Sequence, residues 1–273
     1  MSTSKQSMSP ARVLVESALM VAIATVLSII PLLELPYGGS VTIGSMLPVI
    51  IISYRHGIKW GSMVGFVFAV IQQFLGLKTL SYVTTWQSIL AVVLLDYIIA
   101  YLFTGLGGIF RRTFRQPRAL LCGSLLVCVL RYACHVISGA TVWAGLSIPT
   151  NAALIYSFGY NATYMLPETI ITVILAYYIG SMIDLQSEQI TPFTRHTATS
   201  RNLFQWIGGL LLVAAIIIDS RLVFSNLQNA ETGDFDITGL SAANWPLIIG
   251  IFAAGLIAFI VLLIVGRKRS KAE

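Results

Sequence analysis

Five polar residues stand where apolar surroundings make them costly. Asp96 lies in QSILAVVLLDYIIA, Arg131 and His135 in VLRYACHVI, and Asn161 and Glu168 in GYNATYMLPETI. Ionisable groups inside long apolar stretches are rare and mark functional sites by default. Arg131, His135 and Gly139 are spaced by four and form one stripe on a helix. Asn161, Tyr164 and Glu168 share a face at spacings of three and four. Aromatic residues accompany them: Trp86, Tyr97, Tyr101, Tyr132, Trp143, Tyr156 and Tyr160. Trp86 and Tyr97 are separated by about three α-helical turns, which puts them on one face. A carboxylate beside aromatic faces suits a flat organic cation, through charge pairing and cation–π contact. Hydroxyls, an amide and an imidazole suit the polar edge of a heterocycle. Together they predict a pocket for a small, flat, partly cationic ligand. Plainer roles stand beside this one. Asp96 and Arg131 also suit a structural ion pair, His135 an interhelical hydrogen bond, and Tyr97, Tyr101 and Tyr160 ordinary packing. Glu168 follows Pro167 and suits backbone groups freed at a kink.

The elements that must carry these residues are membrane spans. Soluble domains have about 25% charged residues. This chain of 273 residues has 10%, against 56% hydrophobic, and a mean hydropathy of +0.83. A spanning helix needs about 20 mostly apolar residues. Candidates lie near 11–31, 42–55, 60–76, 86–110, 119–139, 153–183, 204–219 and 245–266, the second and seventh being short; eight spans is the favoured count, with six or seven the alternatives if the short ones do not cross. The expected fold class is an all-α polytopic transmembrane bundle, a six-helix core plus two additional C-terminal helices. Asp96 then lies about 15 Å into the fourth span, near the bilayer centre. Arg131 lies about 18 Å into the fifth, in the outer half.

The net charge of +6 is distributed as an orientation signal rather than as a nucleic-acid surface. Eight spans place Lys5, Arg12, Arg55, Lys59, Arg111, Arg112, Arg115, Arg118, Arg195, Arg201, Arg267, Lys268, Arg269 and Lys271 on one side. Lys78 and Arg221 are left on the other. Cytoplasmic loops keep Lys and Arg, so the expectation is a multi-pass cell-membrane protein with both termini cytoplasmic. The N-terminal stretch has no A-x-A site after a short apolar run, and is expected to be a cytoplasmic tail rather than a cleaved leader. A shift to polar composition near 184 divides the chain into a six-helix substrate-binding membrane domain (1–183), a cytoplasmic linker (184–203) and a two-helix membrane extension (204–273).

Several chemistries are excluded by missing motifs. The chain has no G-x-x-x-x-G-K-[ST] phosphate loop, so it does not itself hydrolyse ATP. It also lacks H-E-x-x-H and G-x-S-x-G, so no enzymatic role and no cofactor are expected. Cys122, Cys128 and Cys134 have neither metal spacing nor a disulfide framework. A binding subunit without its own motor is what remains. Ala18 and Ala22 form a small-x-x-x-small pair in the first span, which suits close approach of another helix, within the bundle or from a partner.

Over residues 11–183 the chain resembles the thiamine-specific substrate-binding subunits of energy-coupling factor (ECF) vitamin transporters. The resemblance is carried by L-D-Y at 95–97, R-Y-A-C-H-V-I-S-G-A-T-V-W at 131–143 and Y-S-F-G-Y-N at 156–161. Weaker support comes from P-V-I-I-I-S-Y-R-H-G at 48–57 and the Ala18–Ala22 pair. It implies thiamine bound near the extracellular face, docking through Ala18 and Ala22 onto a shared transmembrane subunit, and energy from two ATPase subunits. Asp96 stands where the family has an acidic partner for the thiazolium ring, commonly Glu, with Tyr97 as its aromatic neighbour. Arg131 stands where Lys is usual. His135, Gly139, Trp143, Tyr156 and Asn161 match pocket positions, with Trp143 implied to stack on a ring and Asn161 and His135 to hydrogen-bond. Trp86 replaces a pocket Tyr, and Gly39 falls where a lid-loop Trp is expected. Rival expectations are a subunit for another vitamin or a thiamine precursor (pyrimidine or thiazole), and a self-sufficient proton-coupled transporter using Asp96 and Glu168.

Overall fold

The structure is a computed structural model that describes residues 9–35, 38–145, 150–192, 199–227 and 236–272; within these, the side chains of 143–145, 150, 199–202, 237 and 267–272 lie outside the description. Eight helices follow one another: α1 (Pro10–Ile29), α2 (Leu47–His56), α3 (Ile58–Leu75), α4 (Trp86–Arg112), α5 (Gln116–Gly145), α6 (Thr150–Met182), α7 (Thr199–Asn226) and α8 (Trp245–Ala272). Two short antiparallel hairpins interrupt them, β1 (Leu33–Glu34) with β2 (Ser40–Val41), and β3 (Ile183–Asp184) with β4 (Thr191–Pro192). Seven helices, all but α2, are long and apolar enough to cross a membrane.

The second expected span is corrected by this arrangement. Only Leu47–His56 is helical, about 15 Å of rise, and Leu47 to Tyr54 are all buried within the protein. Residues ahead of it turn instead. Thr42 Oγ1 accepts the amide of Ser45 at 3.1 Å, and Gly44 adopts φ +65°, which a side-chain-bearing residue rarely does. Short polar side chains that bond their own backbone compete with helix in this way. Hairpin and α2 together still return the chain to the end where α1 began. Arg55 pairs there with Glu16 and donates to the carbonyls of Leu185 (2.6 Å) and Ser187 (3.2 Å). Arg12 meets Glu188 at 3.4 Å, and Arg111 donates to the Arg55 carbonyl. Lys78 and Arg221 lie towards the opposite end, Lys78 in one hollow with Glu34 and Arg221 bonded to the Leu32 carbonyl. Among the described side chains, Arg12, Arg55 and Arg111 thus gather at one end, with Lys78 and Arg221 towards the other.

α4 is not a uniform helix. Thr85 caps it by accepting the amide of Ser88, Val92–Ile99 winds as a π-helix, and Phe103–Arg112 tightens to a 3₁₀ helix. The tight tail packs on α2, where Ser53 Oγ donates to the Gly105 carbonyl and accepts the Gly108 amide at 2.9 Å. π-helical turns inside α-helices concentrate at functional sites, and this one holds Asp96.

Candidate functional site

Three helices and one hairpin converge on a cavity of about 130 Å³. The π-helical stretch of α4 supplies Asp96 and Tyr97, with Tyr101 one turn on; α5 supplies Arg131, His135 and Gly139; α6 supplies Tyr160, Asn161, Tyr164 and Glu168. The hairpin and the turn after it close the remaining side with Gly38, Gly39, Ser40, Thr42 and Ser45.

Each charge in the cavity has a separate partner. His135 Nδ1 lies 2.9 Å from Asp96 Oδ1. A carboxylate at one ring nitrogen orients the imidazole, with Nδ1–H donating to it. His135 is 8% exposed, and its Nε2 is buried without a hydrogen-bond partner. The Asp96 side chain is 22% exposed. Arg131, at 6% exposed, stacks its guanidinium 4.4 Å from the centre of the Tyr101 ring, and Nη1 donates to the Met46 sulfur. Its Nε is also buried and unpartnered. Among the described residues no carboxylate forms a salt bridge with Arg131, so the alternative of an Asp96–Arg131 pair is not what forms. Glu168 serves the hairpin rather than the kink: Oε1 accepts the Thr42 hydroxyl at 2.7 Å, and Oε2 accepts the Thr42 amide.

The expected site residues divide. Asp96, Tyr97, Arg131, His135, Gly139 and Asn161 all line the cavity. Tyr97 is anchored by its hydroxyl, which donates to the Gly76 carbonyl at 3.1 Å and lies 3.2 Å from Thr79 Oγ1. Gly139 leaves the room that Ser157 and Asn161 occupy: a Cβ there meets the Asn161 amide nitrogen at 3.1 Å. Asn161 is held from both ends, its amide donating to the carbonyls of Ser157 (2.8 Å) and His135 (3.2 Å) while its oxygen accepts from Tyr164. Trp86 does not reach the cavity; its side chain is 69% exposed at the start of α4. Eleven residues bring Trp86 and Tyr97 onto one face only if the helix between them is α throughout, and the wider π turn, bonding i to i+5, rotates them apart. Tyr156 is half-buried against the cluster of Leu35, Val41 and Tyr160, behind the cavity wall. The Trp143 side chain lies outside the described residues. Ala18 and Ala22 are exposed on α1, Ala18 in an apolar groove with Trp60, Met63 and Phe66.

Thr42, Ser45, Thr79 and Tyr82 were not anticipated. They come from short segments whose place over the cavity is set by tertiary packing, and no periodicity signals it. Gly39 sits on the Tyr164 ring.

The profile of the thiamine transporter protein family matches residues 14–186. The thiamine transporter ThiT of Bacillus subtilis (strain 168) is 36% identical over 174 residues, 59% of this chain and 86% of that protein. A solved structure of ThiT from Listeria monocytogenes is similar at TM-score 0.46 and 23% identity, over 61% of this chain and 93% of that one.

Proposed function

The chain belongs to the thiamine transporter protein family, and on that premise we propose that it binds thiamine in the cavity around Asp96, as the substrate-binding subunit of an ATP-driven ECF importer. The observation that carries this reading is the Asp96–His135 pair in an aromatic-walled cavity inside a membrane bundle. A quaternary thiazolium is matched by the Asp96 carboxylate and by the faces of Tyr97 and Tyr101. The two buried, unpartnered nitrogens, His135 Nε2 and Arg131 Nε, are available to a heterocycle's polar edge. Trp143 is proposed as a stacking residue on the strength of the sequence resemblance.

The basic end, carrying Arg12, Arg55 and Arg111, is proposed to face the cytoplasm. The β1–β2 hairpin then faces outwards and ligand arrives past it. Residues 1–183 form the binding unit in this reading. The shared transmembrane subunit docks on the exposed small-residue face of α1, and two ATPase subunits supply the energy that this chain has no motif to obtain.

Two measurements test the proposal. Purified protein is expected to bind thiamine; tight binding of another vitamin with none of thiamine sinks the ligand assignment. Uptake is expected only when ECF subunits are present. Thiamine transport by the chain alone in liposomes replaces the importer reading with a self-sufficient transporter.

A further inference from the structure

The α7–α8 extension lies beyond the 14–186 stretch that matches the family, yet it is not separate from the cavity. Phe224 and Leu227, near the end of α7, are 6% and 0% exposed. They belong to the packed cluster that contains Leu35 and Val41 of the hairpin and Tyr160, Tyr164 and Met165 of α6. The three α6 residues line the cavity. One cluster therefore has a cavity wall on one side and the extension on the other. Arg221 extends the same contact by donating to the Leu32 carbonyl at 3.4 Å. Arg221 and Phe224 lie one turn apart on α7, and Leu227 follows its last residue directly.

The hairpin needs such support. Each of its strands has two residues, joined by bonds such as Leu32 N–H to the Val41 carbonyl at 2.7 Å. An isolated two-stranded hairpin is marginally stable in water. Its inner side is tied by Glu168 to Thr42 and by the Gly39 amide donating to the Tyr160 hydroxyl. Its outer side is covered by α7. The other end of α7 is fixed on α6, where Trp206 stacks on Tyr178 with ring centres 5.0 Å apart and planes 17° apart. The Tyr178 hydroxyl donates to the Gln205 carbonyl there. The helix is thus clamped at both ends, with its far end against the hairpin.

We infer that the α7–α8 extension is a positioning element for the cavity: Arg221, Phe224 and Leu227 hold the β1–β2 hairpin over it and slow the exit of bound ligand. The statement about exit rests on the thiamine-binding reading above; the statement about the hairpin does not.

The test uses the full chain in lipid nanodiscs. Phe224→Ala is expected to raise amide exchange at Leu32 and Leu35 without ligand, and to speed thiamine release at least tenfold in stopped-flow fluorescence. Phe224→Leu is expected to restore most of both effects. Ile257→Ala, on the exposed side of α8, is expected to change neither. If Phe224→Ala folds and leaves hairpin exchange and thiamine release unchanged, the inference is overturned. Equal effects from Ile257→Ala overturn it too, because they reflect general loosening. If the unaltered protein binds no thiamine, the ligand reading fails, and ligand-free exchange at Leu32 and Leu35 still decides whether α7 braces the hairpin.

Discussion

Replacing Asp96 by Asn removes one negative charge and little else, since the amide is nearly isosteric and its oxygen can still accept from His135 Nδ1–H. Two unit charges about 4 Å apart attract by about 4 kcal/mol at an effective dielectric constant of about 20. Two features reduce that figure here. The Asp96 side chain is 22% exposed, which admits some screening, and His135 already shares its charge at 2.9 Å. A loss of about 2–3 kcal/mol remains, or roughly a 30- to 150-fold rise in Kd for thiamine. Isothermal titration with detergent-purified protein reads this directly. An uncharged thiamine analogue, with carbon in place of the quaternary nitrogen, separates charge from shape. It should bind native and variant protein within about threefold of each other, as its contacts are the same in both. A folded Asp96→Asn variant with native affinity for thiamine refutes the placement of the cation at this carboxylate. An equal loss for the uncharged analogue refutes the electrostatic argument and leaves only a structural role.

Two further perturbations probe the frame around the site. The Arg55 side chain is 1% exposed and serves Glu16 together with the carbonyls of Leu185 and Ser187, so Arg55→Ala leaves a mostly buried carboxylate and two carbonyls without it. Breaking such a pair costs about 3–5 kcal/mol; a marked drop in thermal unfolding temperature in detergent is expected, and a drop of less than a degree rejects the pairing. Trp86→Phe should leave thiamine affinity within about twofold, since a residue outside the contact set contributes little to binding; a tenfold loss by titration returns Trp86 to the site.

The sequence legibly marks chemistry that is out of place. Asp96, Arg131, His135, Asn161 and Glu168 are conspicuous because the stretches around them are largely apolar, and the structure brings all five to one cavity. Helical spacing also orders Arg131, His135 and Gly139 along one wall. Facing fails where the period itself changes. The π-helical stretch at Val92–Ile99 turns Trp86 away from Tyr97, and nothing in VVLLDYII announces a wider turn. Partnership fails for a related reason. Asp96 and Arg131 are an obvious pair by charge, yet Asp96 takes His135 and Arg131 takes Tyr101 and Met46. Which polar groups meet across helices depends on rotation and depth at the scale of an ångström, and composition is blind to both. The same holds for the hairpin: 42–55 is apolar enough to read as a span, and only the local bonds of Thr42 and Ser45 with the left-handed turn at Gly44 keep its first part from being helix.

The separate partnering of the three charges bears on what the cavity accepts. A buried ion is tolerated when opposite charge or well-placed hydrogen bonds compensate it. Glu168 engages Thr42 through both oxygens, and so it is committed to the hairpin. Arg131 is compensated by an aromatic face and a sulfur, neither of which carries a formal charge. Asp96 has a single imidazole bond. Asp96 is then the least engaged of the three. A monocation at Asp96 meets opposite charge there, whereas an anion meets like charge. In the proposed reading, selection of a single positive charge rests on how Glu168 and Arg131 are already occupied as much as on Asp96 itself. In that reading the carboxylate that ties down the hairpin and the one that meets the ligand are therefore different residues: the hairpin stays anchored through Thr42 while Asp96 remains available.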